Sequence, residues 1–365
     1  MFVYYILLLV PLVMQHFTIN WKNVNLQKKN RDAMLFFFVV LTILLMLRHK
    51  SVGTDTMNYI SIFERFSAMA WTQVGTGSIE FGFSYYAKIV SLFFNNYQVF
   101  FAVTAIVTAA LIYPTYKRLC VDASLTIVMY VTMSTFVMAF SGIKQMLAVG
   151  IGFVAYECTR QKKLVLFIMC VILAITFHTS AFMLAFMYPL YHAKITRKWL
   201  YVVVPTMAVV FIFNKQIFSV LSVIIERYTE YDANTTQTGA YTMIILFTLF
   251  TVFSFLIPEE SYLDDETIGL RNFLILSLVI QMFAPLHTIA MRMSYYYIIF
   301  IPLLLPKIIE YRSDRWKQVA IVGRHVMVIF FLLYFFLIKA NSAGNLKVFP
   351  YHFFLQDHHT SIKPA

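Results

Sequence analysis

The chain has 365 residues, of which 60% are hydrophobic and 13% charged, with a mean hydropathy of +0.73. A soluble domain is about a quarter charged, so the composition excludes one. It leaves a helical membrane protein, because the alternation of a membrane β-barrel is absent. The net charge of +12 is then read as cytoplasmic loop charge and not as a nucleic-acid footprint.

The first apolar run, 2–19, lacks a basic leader and a small-residue cleavage site, so it is expected as a retained helix and not a signal peptide. Further runs at 33–47, 97–113, 122–140, 143–159, 164–177, 178–191, 199–213, 240–257, 271–287, 292–305 and 318–338 predict an all-α polytopic transmembrane helical bundle. The expectation is about 12 spans (10–14) in a single integral membrane domain, 1–365. The basic segments 21–32, 160–163, 192–199 and 306–317 belong on the cytoplasmic side. Two of them flank 164–191. That run must therefore go out and return, with His178 at its far end.

The same parity gives an outer loop at 48–96, an outer loop at 214–239 and an acidic cytoplasmic loop at 258–270. The outer loop 48–96 includes interfacial or re-entrant helices. Within it, SIEFGFSYYAKIVSLFF (78–94) is apolar enough to enter the membrane and is read as lying in or dipping into the outer interface, where its aromatics suit the depth. The acidic loop is read as solvated, without chemistry. Cys120, Cys158 and Cys170 show neither a CxxC pair nor metal spacing and are read as packing residues. Walker, HExxH and GxSxG signatures are absent, so no metal or cofactor is expected.

Five polar stretches fall on the outer side: RHKSVGTDTMNY (48–59), SIEFGFSYY (78–86), SGIKQMLA (141–148), FHTSAF (177–182) and PLHTIAMRMSYYY (285–297). Lys144 opens a helix where its charge opposes the dipole, which leaves snorkelling or an anion-ligand role. Arg292 opens a span and suits bidentate phosphate binding. Arg48 ends a span, where snorkelling explains it equally well. Asp55 and Glu80 each precede a helix and are explained by capping or dipole stabilisation as readily as by chemistry. His178 is either a satisfied interface histidine, a general base or a phosphate ligand. Cations, carboxylates, one histidine and many aromatics together suit an anionic lipid headgroup bearing sugars.

RHKSVGTDTMNY with Arg48, Gly53, Asp55 and Tyr59, then IEFGF, SGIKQMLAVGI, ITFHTSAF and IAMRMSYYY resemble, in order over about 48–300, the EpsG/Wzy-type bacterial polysaccharide polymerases (O-antigen or capsule repeat-unit). The chain departs from that pattern at Lys144, where the family commonly has arginine. Lysine keeps the charge and loses the bidentate fork. The resemblance implies a GT-C-like glycosyltransferase on the outer face of the bacterial cytoplasmic membrane, with membrane lipids around it. It would move a growing glycan from undecaprenyl diphosphate to a lipid-linked repeat unit, with undecaprenyl-diphosphate-linked oligosaccharide as donor and acceptor. A chain-length regulator is a candidate partner; nucleic acid is not.

His178 is the first choice of base, with Asp55 and Glu80 as reserves. Lys144, Arg292 and Arg48 are candidates for the diphosphate, and Gln145, Tyr59 and Tyr296 for further substrate contacts. A single in-line displacement would invert the anomeric carbon. An O-antigen ligase and a lipid-linked oligosaccharide flippase or transporter are the competing readings. Transport is the weaker, since the charges crowd one face and no repeat is evident.

Overall fold

The computed structural model describes residues 2–18, 26–133, 135–224, 238–338 and 346–356. Among these residues the protein is all-helical, with two isolated β-bridges and no strand. It forms two compact units: Met1–Gly150 with Thr176–His178 and Ile329–Ala365, and Ile151–Ile175 with Thr179–Val328.

The first unit contains α1 (Phe2–Thr18), α2 (Leu26–Met46), α3 (Thr56–Ala68), α4 (Phe81–Phe93), α5 (Tyr97–Leu119), α6 (Ala123–Thr132), α7 (Thr135–Ser141) and the start of α8 (Ile143–Arg160). Helix α5 is the long apolar crossing. At its start the Asn96 carboxamide accepts from the Gln98 and Val99 amides, and its last turn carries Lys117 and Arg118, which favour the negative end of the dipole. Helix α2 packs along α5, and α1 packs on α2 and α6. Asn30 ties the start of α2 to the α5–α6 link, donating to Val121 O at 2.6 Å and accepting from the Ala123 amide at 3.2 Å.

Helices α3 and α4 pack on each other and on α5 around Tyr59, Phe63, Phe66, Phe83 and Phe100. Helix α4 has 13 residues, about 20 Å at 1.5 Å per residue, against roughly 30 Å of hydrocarbon. It is too short to cross. Lys88, in its apolar middle, is buried because it terminates α3, donating to Ser67 O at 2.9 Å and Met69 O at 2.7 Å. That satisfies carbonyls left open at a helix end.

The second unit contains the rest of α8, most of α9 (Leu164–Phe177), a 3-10 turn over Thr179–Phe186, α10 (Met187–His192), α11 (Leu200–Ile212), α12 (Asn214–Ile224), α13 (Thr238–Leu256), α14 (Asp265–Gln281), α15 (Thr288–Ile298), α16 (Ile301–Glu310) and most of α17 (Lys317–Leu333). Helix α14 is its buried centre, packed by α10, α13, α15 and α16. Asp264 caps α14 by accepting from the Thr267 amide at 2.6 Å.

The acidic stretch ahead of α14 is tied down by ion pairs. Arg271, fully buried, donates to Glu260 at 2.6 Å. Lys307 lies 3.5 Å from Asp264 and 3.7 Å from Glu266. Burial alone would raise the Asp264 carboxyl, but bonds from Thr267, the Lys307 charge and the Tyr311 hydroxyl hold it below the ordinary range.

The expected out-and-back course of 164–191 is present. Phe167 of α9 meets Tyr188 of α10 with ring centroids 5.4 Å apart, so the chain has returned and both basic loops sit at one end of this hairpin. The return leg is a 3-10 turn followed by a six-residue helix, not a second α-helical span.

The number of crossings is not twelve by helix length. Among the described residues two helices are long and apolar enough to cross a membrane, Tyr97–Leu119 and Asp314–Leu337, and up to five spans result if each of three sharply bent pairs counts as one. These mark a membrane protein. The shortfall has a local cause: the apolar runs are interrupted. Helices α15 and α16 bend by 44° where Pro302 follows Phe300, and α11 and α12 bend by 77° at Phe213. Of the expected outer loop 214–239, 214–224 is helix α12, 238 and 239 open α13, and 225–237 lie outside the described residues, as do 21–25 of the first basic segment.

Candidate functional site

Four of the five polar stretches meet wholly or in part in the first unit. Glu80 occupies the N-cap position of α4 but makes no cap bond with its side chain. Its carboxylate goes instead to two partners. The Lys144 ammonium, in the first turn of α8, lies 2.6 Å from Oε2, and Nδ1 of His178, just past α9, lies 3.1 Å from Oε1. The three side chains are 11%, 22% and 17% exposed, enclosed enough to strengthen the ion pair yet reachable from water.

Burial alone would raise the Glu80 carboxyl. The hydrogen bond from His178 and the charge and hydrogen bond of Lys144 outweigh it and bring the pKa down to about 2. Glu80 is therefore a carboxylate at neutral pH and can only accept. It follows that Nδ1 of His178 donates this hydrogen bond, which in a neutral ring would leave the lone pair on Nε2.

Gly82 makes this contact possible. A Cβ there would lie 2.2 Å from Thr176 Oγ1 and 3.0 Å from the Thr176 carbonyl carbon. Only a glycine lets the start of α4 come this close to the end of α9, two residues before His178. Tyr86, one turn along α4, packs its ring on Phe177 at 6.1 Å.

A second set of contacts fixes the loop before α3. Gly53 has φ +94°, a left-handed conformation, and a Cβ there would meet Phe140 O at 2.8 Å. The Thr54 amide donates to Ser141 Oγ at 3.0 Å, three residues before Lys144. The segment 346–356 straps this loop. The His49 amide donates to His352 O at 2.9 Å, the Gly53 amide to Lys347 O at 3.1 Å, the Phe354 amide to Leu47 O at 2.9 Å and the Tyr351 hydroxyl to Leu44 O at 2.7 Å. Neither the strap nor the Gly82–Thr176 approach was visible as a motif.

The remaining candidates are placed differently. Asp55 stands at the N-cap position of α3 without a side-chain cap bond, and its half-buried carboxylate has no ion pair among the described residues. Arg48 is buried. It donates to Phe140 O and lies over the Phe101 ring, 4.3 Å from the centroid. Tyr59 is part of the α3–α4 core, edge-on to Phe83 at 5.9 Å. Gln145 is buried beside Lys144 in sequence. Arg292 and Tyr296 lie on α15 of the second unit. Arg292 is exposed, whereas Tyr296 is buried with its hydroxyl 3.1 Å from that of Ser180.

A protein-family comparison matches the EpsG family over residues 33–353. The chain belongs to the EpsG family. The match covers the candidate residues from Arg48 to Tyr296 and reaches Phe353 of the strap, so the EpsG region includes Glu80, Lys144 and His178. EpsG membership points to a polysaccharide polymerase-type role. No curated protein and no solved structure matches the chain.

Proposed function

We propose that the protein is a polysaccharide repeat-unit polymerase of the cytoplasmic membrane. It transfers a growing glycan from a lipid diphosphate to a lipid-linked repeat unit at the face that carries Glu80, Lys144 and His178. The observation that carries this reading is the contact of a carboxylate with both an ammonium and an imidazole, inside the EpsG match. An acceptor hydroxyl attacks the anomeric carbon of the donor sugar and gives its proton to His178 Nε2. The bond from that carbon to the diphosphate breaks, and its electron pair leaves with the diphosphate. Glu80 holds the ring in the productive tautomer and balances the imidazolium that forms. An ammonium has three N–H donors, so Lys144 keeps others free for diphosphate oxygens while one bonds Glu80. Diphosphate is a good leaving group, so preorganised positive charge matters more than a strong acid. A single displacement of this kind inverts the anomeric configuration. The compartment is the one that loop charge assigns, the outer face.

The test is purified protein incubated with a synthetic lipid-diphosphate repeat and resolved by electrophoresis. A ladder of lipid-linked oligomers is expected, and His178→Ala should lower its rate by about 100-fold or more at unchanged membrane level. Glycan joined to a different lipid acceptor would indicate a ligase, and no covalent change a transporter. Full activity in His178→Ala would remove the histidine from the reaction.

A further inference from the structure

Arg48 poses a problem that the reaction does not solve. Its side chain is 2% exposed, and its Nε, buried, has no hydrogen-bond partner. Its guanidinium contacts are the Phe140 carbonyl and the rings of Phe101 and Phe140. The titratable groups acting on it electrostatically are the phenols of Tyr59 and Tyr351, and among the described residues no carboxylate pairs with it. Buried charges in proteins are normally paired, because an isolated one forfeits its hydration without return. A carbonyl dipole and two ring faces offset part of that loss and leave the net charge standing.

A small, partly open space adjoins Arg48. It measures about 20 Å³ and is lined by Arg48 with Leu45, Phe101, Thr104, Thr108 and Met146, among other apolar side chains. A space of this size takes one small particle. It suits a single atomic ion better than a phosphate or a diphosphate bearing sugars. Thr104 is largely committed, donating to Phe100 O at 2.7 Å and bonding the Tyr86 hydroxyl at 2.9 Å. The lining thus offers an unmatched cation and a threonine hydroxyl, at Thr108, in otherwise apolar walls.

The geometry points to a binding site for one monatomic halide, chloride in ordinary buffers, held by the Arg48 guanidinium in the cavity between α2, α5 and the α7–α8 corner. A neutral water would bond Nε but leave the charge unbalanced. A halide does both, and its weak hydration makes entry into an apolar pocket less costly than for a small hard anion. Occupancy would brace Arg48 beneath the Phe140 carbonyl and beside the strapped loop. The inference does not depend on the proposed reaction.

The test is thermal unfolding of the purified protein in detergent, with sodium bromide or chloride exchanged for sodium gluconate at equal ionic strength. The midpoint should climb with halide concentration and then level off, about 2 °C or more above its value in gluconate. In Arg48→Met the halide response should vanish. A wild-type midpoint indifferent to halide, or an undiminished response in Arg48→Met, overturns the proposal. That variant can also fail to accumulate, so a second measurement uses wild-type protein alone. Crystals grown in bromide should show an anomalous peak beside Arg48 Nε; water density without anomalous signal there overturns it as well.

Discussion

Glu80 serves as a shared acceptor, and its two bonds explain why a carboxylate tolerates burial at a helix start. Its depressed pKa makes a definite statement about acid. A carboxylate with a lowered folded-state pKa contributes stability that is fully present above the unfolded value, about 4.3, and lost as pH falls through the folded value of about 2. Thermal midpoints of wild type and Glu80→Gln should therefore differ above about pH 5 and converge below pH 4. The variant leaves a mostly buried ammonium without its partner, a loss of about 1–3 kcal/mol. A gap between the two proteins that stayed open as pH fell from 4 to 2 would contradict the ion pair. Loop charge alone brought His178, Glu80 and Lys144 to one side. Their contact was not legible, because Glu80 is 64 residues from Lys144 and 98 from His178, and each residue has an ordinary explanation when read singly. Arg48 shows the opposite limit: its charge was plain in the sequence, but its inward rotation depends on Phe101 and Phe140.

At the scale of elements, the site depends on how closely α4 approaches the end of α9. Gly82→Ala should disturb it by overpacking, at about 1–3 kcal/mol, and should reduce oligomer formation out of proportion to the loss of stability, because Glu80 moves with α4. Thr176→Ala in that background removes the nearest clash, at Oγ1, but leaves the Thr176 Cβ position 2.9 Å away. Partial recovery of the ladder is expected, and no recovery would show that the approach does not control the site. The sequence revealed the hairpin at 164–191, because two basic loops cannot both face inward otherwise. It did not reveal that the return leg is a 3-10 turn, since hydropathy registers apolar content and not hydrogen-bond register. It also gave about twelve spans where helix length among the described residues supports two to five. The bend just ahead of Pro302 divides the run 292–305, which composition alone presents as continuous.

At the scale of the whole molecule, the strap joins the far end of the sequence to its beginning. Tyr351 is buried and bonded to Leu44, and the Tyr4 hydroxyl donates to Val348 O at 2.6 Å. Tyr351→Ala should cost about 3 kcal/mol, read as a lower thermal midpoint, and a chain ending before Leu346 should lose more, read as poor accumulation in the membrane. Stable accumulation of that shortened chain would show the strap to be dispensable. Hydropathy gave no sign of it, since Lys347–Gln356 carries no span and no motif.

The pairing of Arg48 with Phe353 also sets an order of events during synthesis. The loop leading into α3 emerges from the ribosome well before the backbone that completes it, which lies about 300 residues further along the chain. Until then its amides must find temporary partners. A nascent chain can insert its helices one after another, but the loop before α3 is held in place only once the strap has been made.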